Sequence, residues 1–173
     1  MHDTQQLQEC CEKDEYIKHT FLGVFPADKI PAHMSTPSCL IANTDPAHKP
    51  GQHWVALIVR EMGQKIFFDS YGLEPTYYNP LLWKNLAHWE KSTQDLQQRT
   101  TTVCGDWCLY ALRAMTRNPR LELDTILKHF DPEDPMHNDS VIFDAIHSLY
   151  PKILNPVPHP RVPETRQCCK SRE

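Results

Sequence analysis

Two apolar runs, HWVALIVR at residues 53–60 and KIFFDSYG at residues 65–72, are separated by little more than Met62-Gly63-Gln64. The first follows the Lys-Pro-Gly break at 49–51, is rich in β-branched residues and has no polar face, which predicts a strand buried on both sides. The glycine-centred link is short enough to return the second run antiparallel to the first. SCLIAN at 38–43, bounded by Pro37 and an Asn-Thr-Asp-Pro turn, predicts another buried strand.

Around these strands the pattern is helical. The polar stretch up to His19 predicts a helix, and TFLGVFPADKIP supplies Phe21, Leu22, Val24 and Phe25 for a turn or short strand. Leu82, Leu86 and Trp89 form a helical stripe over 80–91, and the polar stretch that follows leads to Cys104 as a short strand or loop. Two further helices are expected near 121–130 and 139–150, the second carrying Ile142, Ala145, Ile146 and Leu149 at helical spacing. With 173 residues and 40% hydrophobic composition the chain suffices for one domain with a real core, taken as residues 1–150. Pro151, Pro156, Pro158, Pro160 and Pro163 with polar fill predict an extended or disordered tail over 151–173.

The net charge of −4 and pI near 6.2 lack the basic footprint of a dedicated nucleic-acid binder and are compatible with a monomer. There is no apolar run of membrane-spanning length, and the polar, acidic first 20 residues resemble neither a secretory signal nor a transit peptide. Seven cysteines, two pairs of them adjacent and near the termini, make a poor disulfide framework, so free thiols in a reducing intracellular compartment are expected. Cys104 and Cys108 have no matching downstream pair of ligands, so cysteine spacing predicts no metal site.

One cysteine stands in a reactive setting. After Cys104-Gly105 the residues Cys108, Ala111, Leu112 and Met115 recur at helical spacing, widened by Trp107, Leu109 and Ala114, which places Cys104 at the N-terminus of a buried helix. The unsatisfied N–H groups and dipole there favour a thiolate, and Gly105 leaves room for another backbone or a substrate to approach the sulfur. His53 opens the first strand and Asp69 lies sixteen residues on, near the end of the second. Pairing of the strands brings them to one sheet edge, where the carboxylate can hold the imidazole tautomer that takes a proton from sulfur. Gln97 and Gln98, seven and six residues before Cys104, offer a side-chain amide to an oxyanion, with the Cys104 N–H as second donor.

This order of words resembles the adenain family of cysteine proteases, the adenovirus endopeptidases and their relatives in other viruses and virus-like transposons. The resemblance covers roughly residues 16–150 and rests on FLG at 21–23, CLIANTD at 39–45, HW at 53–54, FFDSYGLEP at 67–75, Gln97 and VCGDWCLYAL at 103–112. It implies an α+β fold, a mixed β-sheet packed against helices with the cysteine helix central, in the clan that includes the SUMO proteases. It implies His53 as general base, Asp69 as orienting acid, Cys104 as nucleophile, Gln97 as oxyanion donor, and Trp54 as the tryptophan whose ring lies near the catalytic histidine. The SUMO-protease spacing selects Gln98 as the donor; the adenain spacing selects Gln97, with Thr101 where the family often has serine.

The resemblance further implies cleavage of capsid or core precursors at small or glycine-containing sites during maturation, in a host nucleus or virion. Adenovirus enzymes carry glutamate where this chain has Asp69, and are activated by DNA and by a peptide disulfide-bonded to a cysteine preceding the nucleophile. Here no cysteine lies between Cys39 and Cys104 and the charge is acidic, so no cofactor is required by the sequence, and an activating peptide and nucleic acid stay open as partners. Two rival expectations share the fold: an isopeptidase removing ubiquitin-like modifiers, and a catalytically silent binding module.

Overall fold

The computed structural model describes residues 2–155. The elements are helix α1 (Thr4–Lys13), strands β1 (Phe21–Phe25), β2 (Ser38–Asn43), β3 (Trp54–Val59) and β4 (Lys65–Phe68), short helices α2 (Pro75–Tyr78) and α3 (Pro80–Trp83), strand β5 (Glu90–Lys91), and helices α4 (Cys104–Arg117), α5 (Leu123–Leu127), α6 (Pro135–Leu149) and α7 (Pro151–Leu154). The strands form one mixed sheet in the order β1-β2-β3-β4-β5. Its two central pairings, β2 with β3 and β3 with β4, are antiparallel, and both edge strands pair parallel. The α+β architecture is the expected one.

Every residue of β2 and β3 is buried, and strand alternation divides them between two cores. Cys39, Ile41, Ala56, Ile58, Ile66 and Phe68 face the larger cluster, built with Trp107, Leu109 and Leu112 of α4, Ile142 and Ile146 of α6, and Leu7 of α1. Leu40, Ala42, Val55, Leu57, Val59 and Phe67 face a smaller cluster closed by Trp83 and Trp89. The central hairpin therefore has cover on both faces, as its lack of a polar side demands. Gly63, at φ +80°, forms the link, with its N–H on the carbonyl of Arg60.

The structure revises several element boundaries. The first helix stops at Lys13, where Asp14 turns its carboxylate onto the N–H groups of Tyr16 and Ile17 instead of continuing the spiral. Residues 80–91 are no single helix. They hold α3, a 3₁₀ turn at Lys84–Leu86 and β5, because Glu90 and Lys91 must pair with Ile66 and Phe67 at the sheet edge. The second strand of the hairpin ends at Phe68, leaving Asp69 to Gly72 to form a turn closed by the Gly72 N–H on the Asp69 carbonyl. The last long helix begins at Pro135, four residues before the expected start, with Asp134 capping it through the N–H of His137. Residues 151–154 add a helical turn whose Leu154 joins the larger core, so the packed domain extends past Tyr150. The expectation of a disordered tail otherwise falls on residues 156–173, with Cys168 and Cys169, outside the described residues.

Candidate active site

Cys104 is the first residue of α4, and Val103 before it supplies no side-chain cap. The N-terminal N–H groups are thus left to whatever sits at the sulfur. His53, just before β3, and Asp69, just after β4, meet as the hairpin register requires, with His53 Nε2 and Asp69 Oδ1 2.7 Å apart. Both are buried, at 4% and 1% exposure. The second ring nitrogen, Nδ1, is left for Cys104, with which His53 also has a hydrogen-bond interaction.

Burial alone would lower the pKa of His53. The hydrogen bonds to Asp69 and Cys104, and the charges of both, outweigh it and raise the imidazole from 6.5 to about 9. An imidazolium beside a cysteine at a helix N-terminus is the setting in which a thiolate is held ready.

Asp69 is fixed on every side. Besides His53 it accepts from the Tyr71 N–H at 3.0 Å, the Leu73 N–H at 3.2 Å and the Tyr78 hydroxyl at 2.6 Å. The turn formed by Asp69-Ser70-Tyr71-Gly72 is therefore also what aims the carboxylate inward. Gly72 has φ +64°, and a Cβ on it would lie 2.7 Å from the Gln94 carbonyl oxygen, so the turn also needs glycine for the close passage of the 93–94 backbone.

Of the two glutamines, Gln97 is the buried one, at 1% exposure. Its N–H and that of Leu96 both reach the carbonyl of Ser70, while its Oε1 accepts from the Ser70 hydroxyl at 2.6 Å. Its Nε2 is left with long contacts of 3.3 and 3.4 Å to Thr101. Gln98 is held instead by its backbone N–H on Asp139. Asp139 also accepts from the Thr101 hydroxyl at 2.6 Å and the Trp107 indole N–H at 2.8 Å, tying the 97–101 loop to α4 and α6.

Rings stacked on His53 are those of Tyr71, at 4.4 Å between centroids, and Tyr78, at 5.8 Å. Trp54 directs its indole N–H to the carbonyl of His2. At Gly105 the close neighbour is the N-terminal segment: an added Cβ would meet Leu7 at 3.1 Å and His2 at 3.2 Å. The glycine makes room for that segment. Tyr71, Tyr78, Ser70 and Asp139 escaped the sequence analysis because tyrosine, serine and aspartate in loops and on helices carry no spacing signal.

No protein-family profile matches the chain. Among curated proteins, the "Protease" of Bovine adenovirus 2 is 30% identical over an alignment covering 71% of this chain and 72% of that protein. The "Protease" of Porcine adenovirus A serotype 3 is 32% identical over 57% of each. Among solved structures, a crystal structure of the ASFV pS273R protease matches 80% of this chain and 51% of its own, at 20% identity and a TM-score of 0.39. With that identity and coverage against the bovine virus enzyme, the chain belongs to the adenovirus protease family.

Proposed function

We propose that the protein is a cysteine endopeptidase with Cys104 as nucleophile, His53 as general base and acid, Asp69 as the group orienting His53, and Gln97 with the Cys104 N–H as oxyanion donors. The observation that carries this is the buried line from Asp69 through His53 to Cys104 at the start of α4. Cys104 thiolate adds to the scissile carbonyl and the resulting oxyanion takes hydrogen bonds from Gln97 Nε2 and the backbone. His53 then gives its proton to the leaving amine as the C–N bond breaks, forming a thioester. Water, deprotonated by His53, attacks the thioester and releases the acid with Cys104 restored.

The substrates are polypeptide precursors of a virus or virus-like element, cut at small or glycine-containing sites in a host nucleus or virion. Support for small residues comes from the cover on the dyad, where Cys104 is 1% exposed and Tyr71 lies flat on His53. Independence from a disulfide-linked activating peptide is supported by the cysteines ahead of the nucleophile. Cys10, Cys11 and Cys39 are free thiols at 0% exposure. The domain is proposed to act as a monomer, without a metal or organic cofactor in the reaction.

The experiment offers the purified protein a glycine-containing capsid-type precursor peptide and a diglycine-ended modifier conjugate together. Cleavage of the peptide, abolished by Cys104→Ala, is the expected result. Preference for the conjugate transfers the reading to an isopeptidase, and cleavage unchanged in Cys104→Ala overturns it.

A further inference from the structure

We propose that His2, Asp106 and His147 form a binding site for one divalent transition-metal ion, zinc by its donor set, at the first turn of α4. His2 Nε2, Asp106 Oδ1 and His147 Nε2 all lie within 4.8 Å of one another. Asp106 Oδ1 is 2.7 Å from His2 Nε2 and 3.5 Å from His147 Nε2. Around a tetrahedral zinc with bonds of about 2.0–2.2 Å, neighbouring donors stand about 3.3 Å apart. The Asp106–His147 separation already suits this, and the Asp106–His2 separation has to widen by about half an ångström.

The independent observation is His147. It is 9% exposed, and its Nδ1 lies 2.9 Å from Asn155 Oδ1. An amide oxygen only accepts, so Nδ1 carries a proton, and in the neutral ring Nε2 then carries a lone pair. That Nε2 is buried without a hydrogen-bond partner, facing the Asp106 carboxylate. Two acceptors facing each other away from water are unfavourable unless a cation comes between them. A metal ion satisfies both, and His2, at once, while the Nδ1–H to Asn155 is the outer-shell contact that fixes the tautomer of a ligating histidine. Phe143, stacked on the imidazole at 3.8 Å, holds the ring plane. His2 is held by the Trp54 indole N–H on its carbonyl and fits against α4 because residue 105 has no side chain.

The ion would join the start of the chain, the first turn of the nucleophile's helix and the last turn of α6. None of its three ligands belongs to the proposed catalytic groups, so its effect is on stability and on the seating of the N-terminal segment. Its ligands come from three distant stretches, which is why no sequence spacing announces it.

The test uses the full chain carrying Cys104→Ser, Cys168→Ser and Cys169→Ser, so that thiols of the dyad and of residues 168–169 supply no ligand. Zinc chloride is titrated calorimetrically and the stoichiometry read by native mass spectrometry. One ion per chain is expected, with the melting temperature rising as zinc is added. His2→Gln and His147→Gln should each weaken binding by about 100-fold or more, and Asn155→Ala by about 10-fold, with far-UV circular dichroism unchanged. Cobalt in place of zinc should give tetrahedral ligand-field bands without sulfur charge-transfer absorption. Absence of saturable zinc binding overturns the proposal. Unchanged affinity in folded His2→Gln or His147→Gln overturns it equally.

Discussion

The hydroxyl of Ser70 donates to Oε1 of Gln97 across 2.6 Å, linking the residue next to Asp69 with the loop before the nucleophile. The same serine accepts the Gln97 N–H on its carbonyl. The proposed general-base and oxyanion sides of the site are thereby built on one another, and Gln97 Nε2 keeps only its long contacts to Thr101. Replacing Gln97 by Ala should lower kcat by about 10²–10³-fold with KM little changed, the usual cost of one oxyanion donor. Gln98→Ala should leave kcat close to the parent, since Gln98 is held through its backbone N–H. Ser70→Ala should fall between them. A kcat loss larger for Gln98→Ala than for Gln97→Ala would reverse the assignment.

His53 sets the pH dependence. Its imidazole is raised from 6.5 to about 9, burial opposing and the bonds to Asp69 and Cys104 prevailing, so the fold favours the protonated ring. The stability this contributes is full below about pH 6.5 and is lost as pH rises through about 9. Cleavage should decline over the same basic limb, because the leaving amine loses its proton donor. Following the His53 ring by NMR should show its titration near pH 9 in the wild type and at lower pH in Cys104→Ala. A ring titrating near 6.5 in both would show that the pair does not form.

How much of this was legible in the sequence depends on whether local pattern or distant packing decides a feature. The hairpin and α4 could be read directly, since unbroken apolar runs and a helical stripe each admit one solution, and with them came the meeting of His53, Asp69 and Cys104. Residues 80–91 could not. Leu82 and Leu86 have helical spacing, yet Leu81 is 81% exposed, the segment is pinned by Trp83 and Trp89 in the second core, and its end is claimed by pairing to β4. The partner of Trp54 was equally hidden, because its indole reaches back to His2, fifty-two residues earlier, a contact no local word encodes.

Asp14 joins the end of α1 to α4 and α6. It is 2% exposed and accepts from the Tyr16 and Ile17 N–H groups, from the Tyr150 hydroxyl at 2.5 Å and from Arg113. Burial by itself would raise its pKa, but the bonds from Tyr150, Ile17 and Tyr16 and the charge of Arg113 lower it below 3.8. A depressed carboxylate contributes stability that is present above about pH 3.8 and lost as pH falls through the folded value. Asp14→Asn should therefore cost about 3 kcal/mol near neutral pH, the low end for a broken buried pair because the Arg113 side chain keeps 18% of its exposure. Tyr150→Phe should cost about 1.5 kcal/mol. Urea denaturation measures both, and an Asp14→Asn protein as stable as the wild type at pH 7 would show that the network contributes nothing.

Thiol chemistry separates Cys104 from its neighbours. Burial is the first cause pushing Cys10 up to about 12 and Cys39 up to about 11, and it holds Cys11 and Cys108 well above the ordinary thiol range. At pH 7 those four are neutral and enclosed, so a small haloacetamide should modify Cys104 alone among the described cysteines, with Cys168 and Cys169 mapped separately by mass. His53→Ala should abolish that selectivity by removing the cation beside the sulfur. The reagent must still pass the cover on the dyad, where the guanidinium of Arg99 lies 4.4 Å over the ring of Tyr71 and that ring is stacked on His53. An exposed cation–π contact contributes about 0.5–1 kcal/mol, so Arg99→Ala should speed labelling of Cys104 by about two- to fivefold through easier displacement of Tyr71. Labelling that is unchanged in Arg99→Ala would mean that Tyr71 does not control access. Modification of Cys39 or Cys108 at the rate of Cys104 would remove the distinction on which the nucleophile assignment depends.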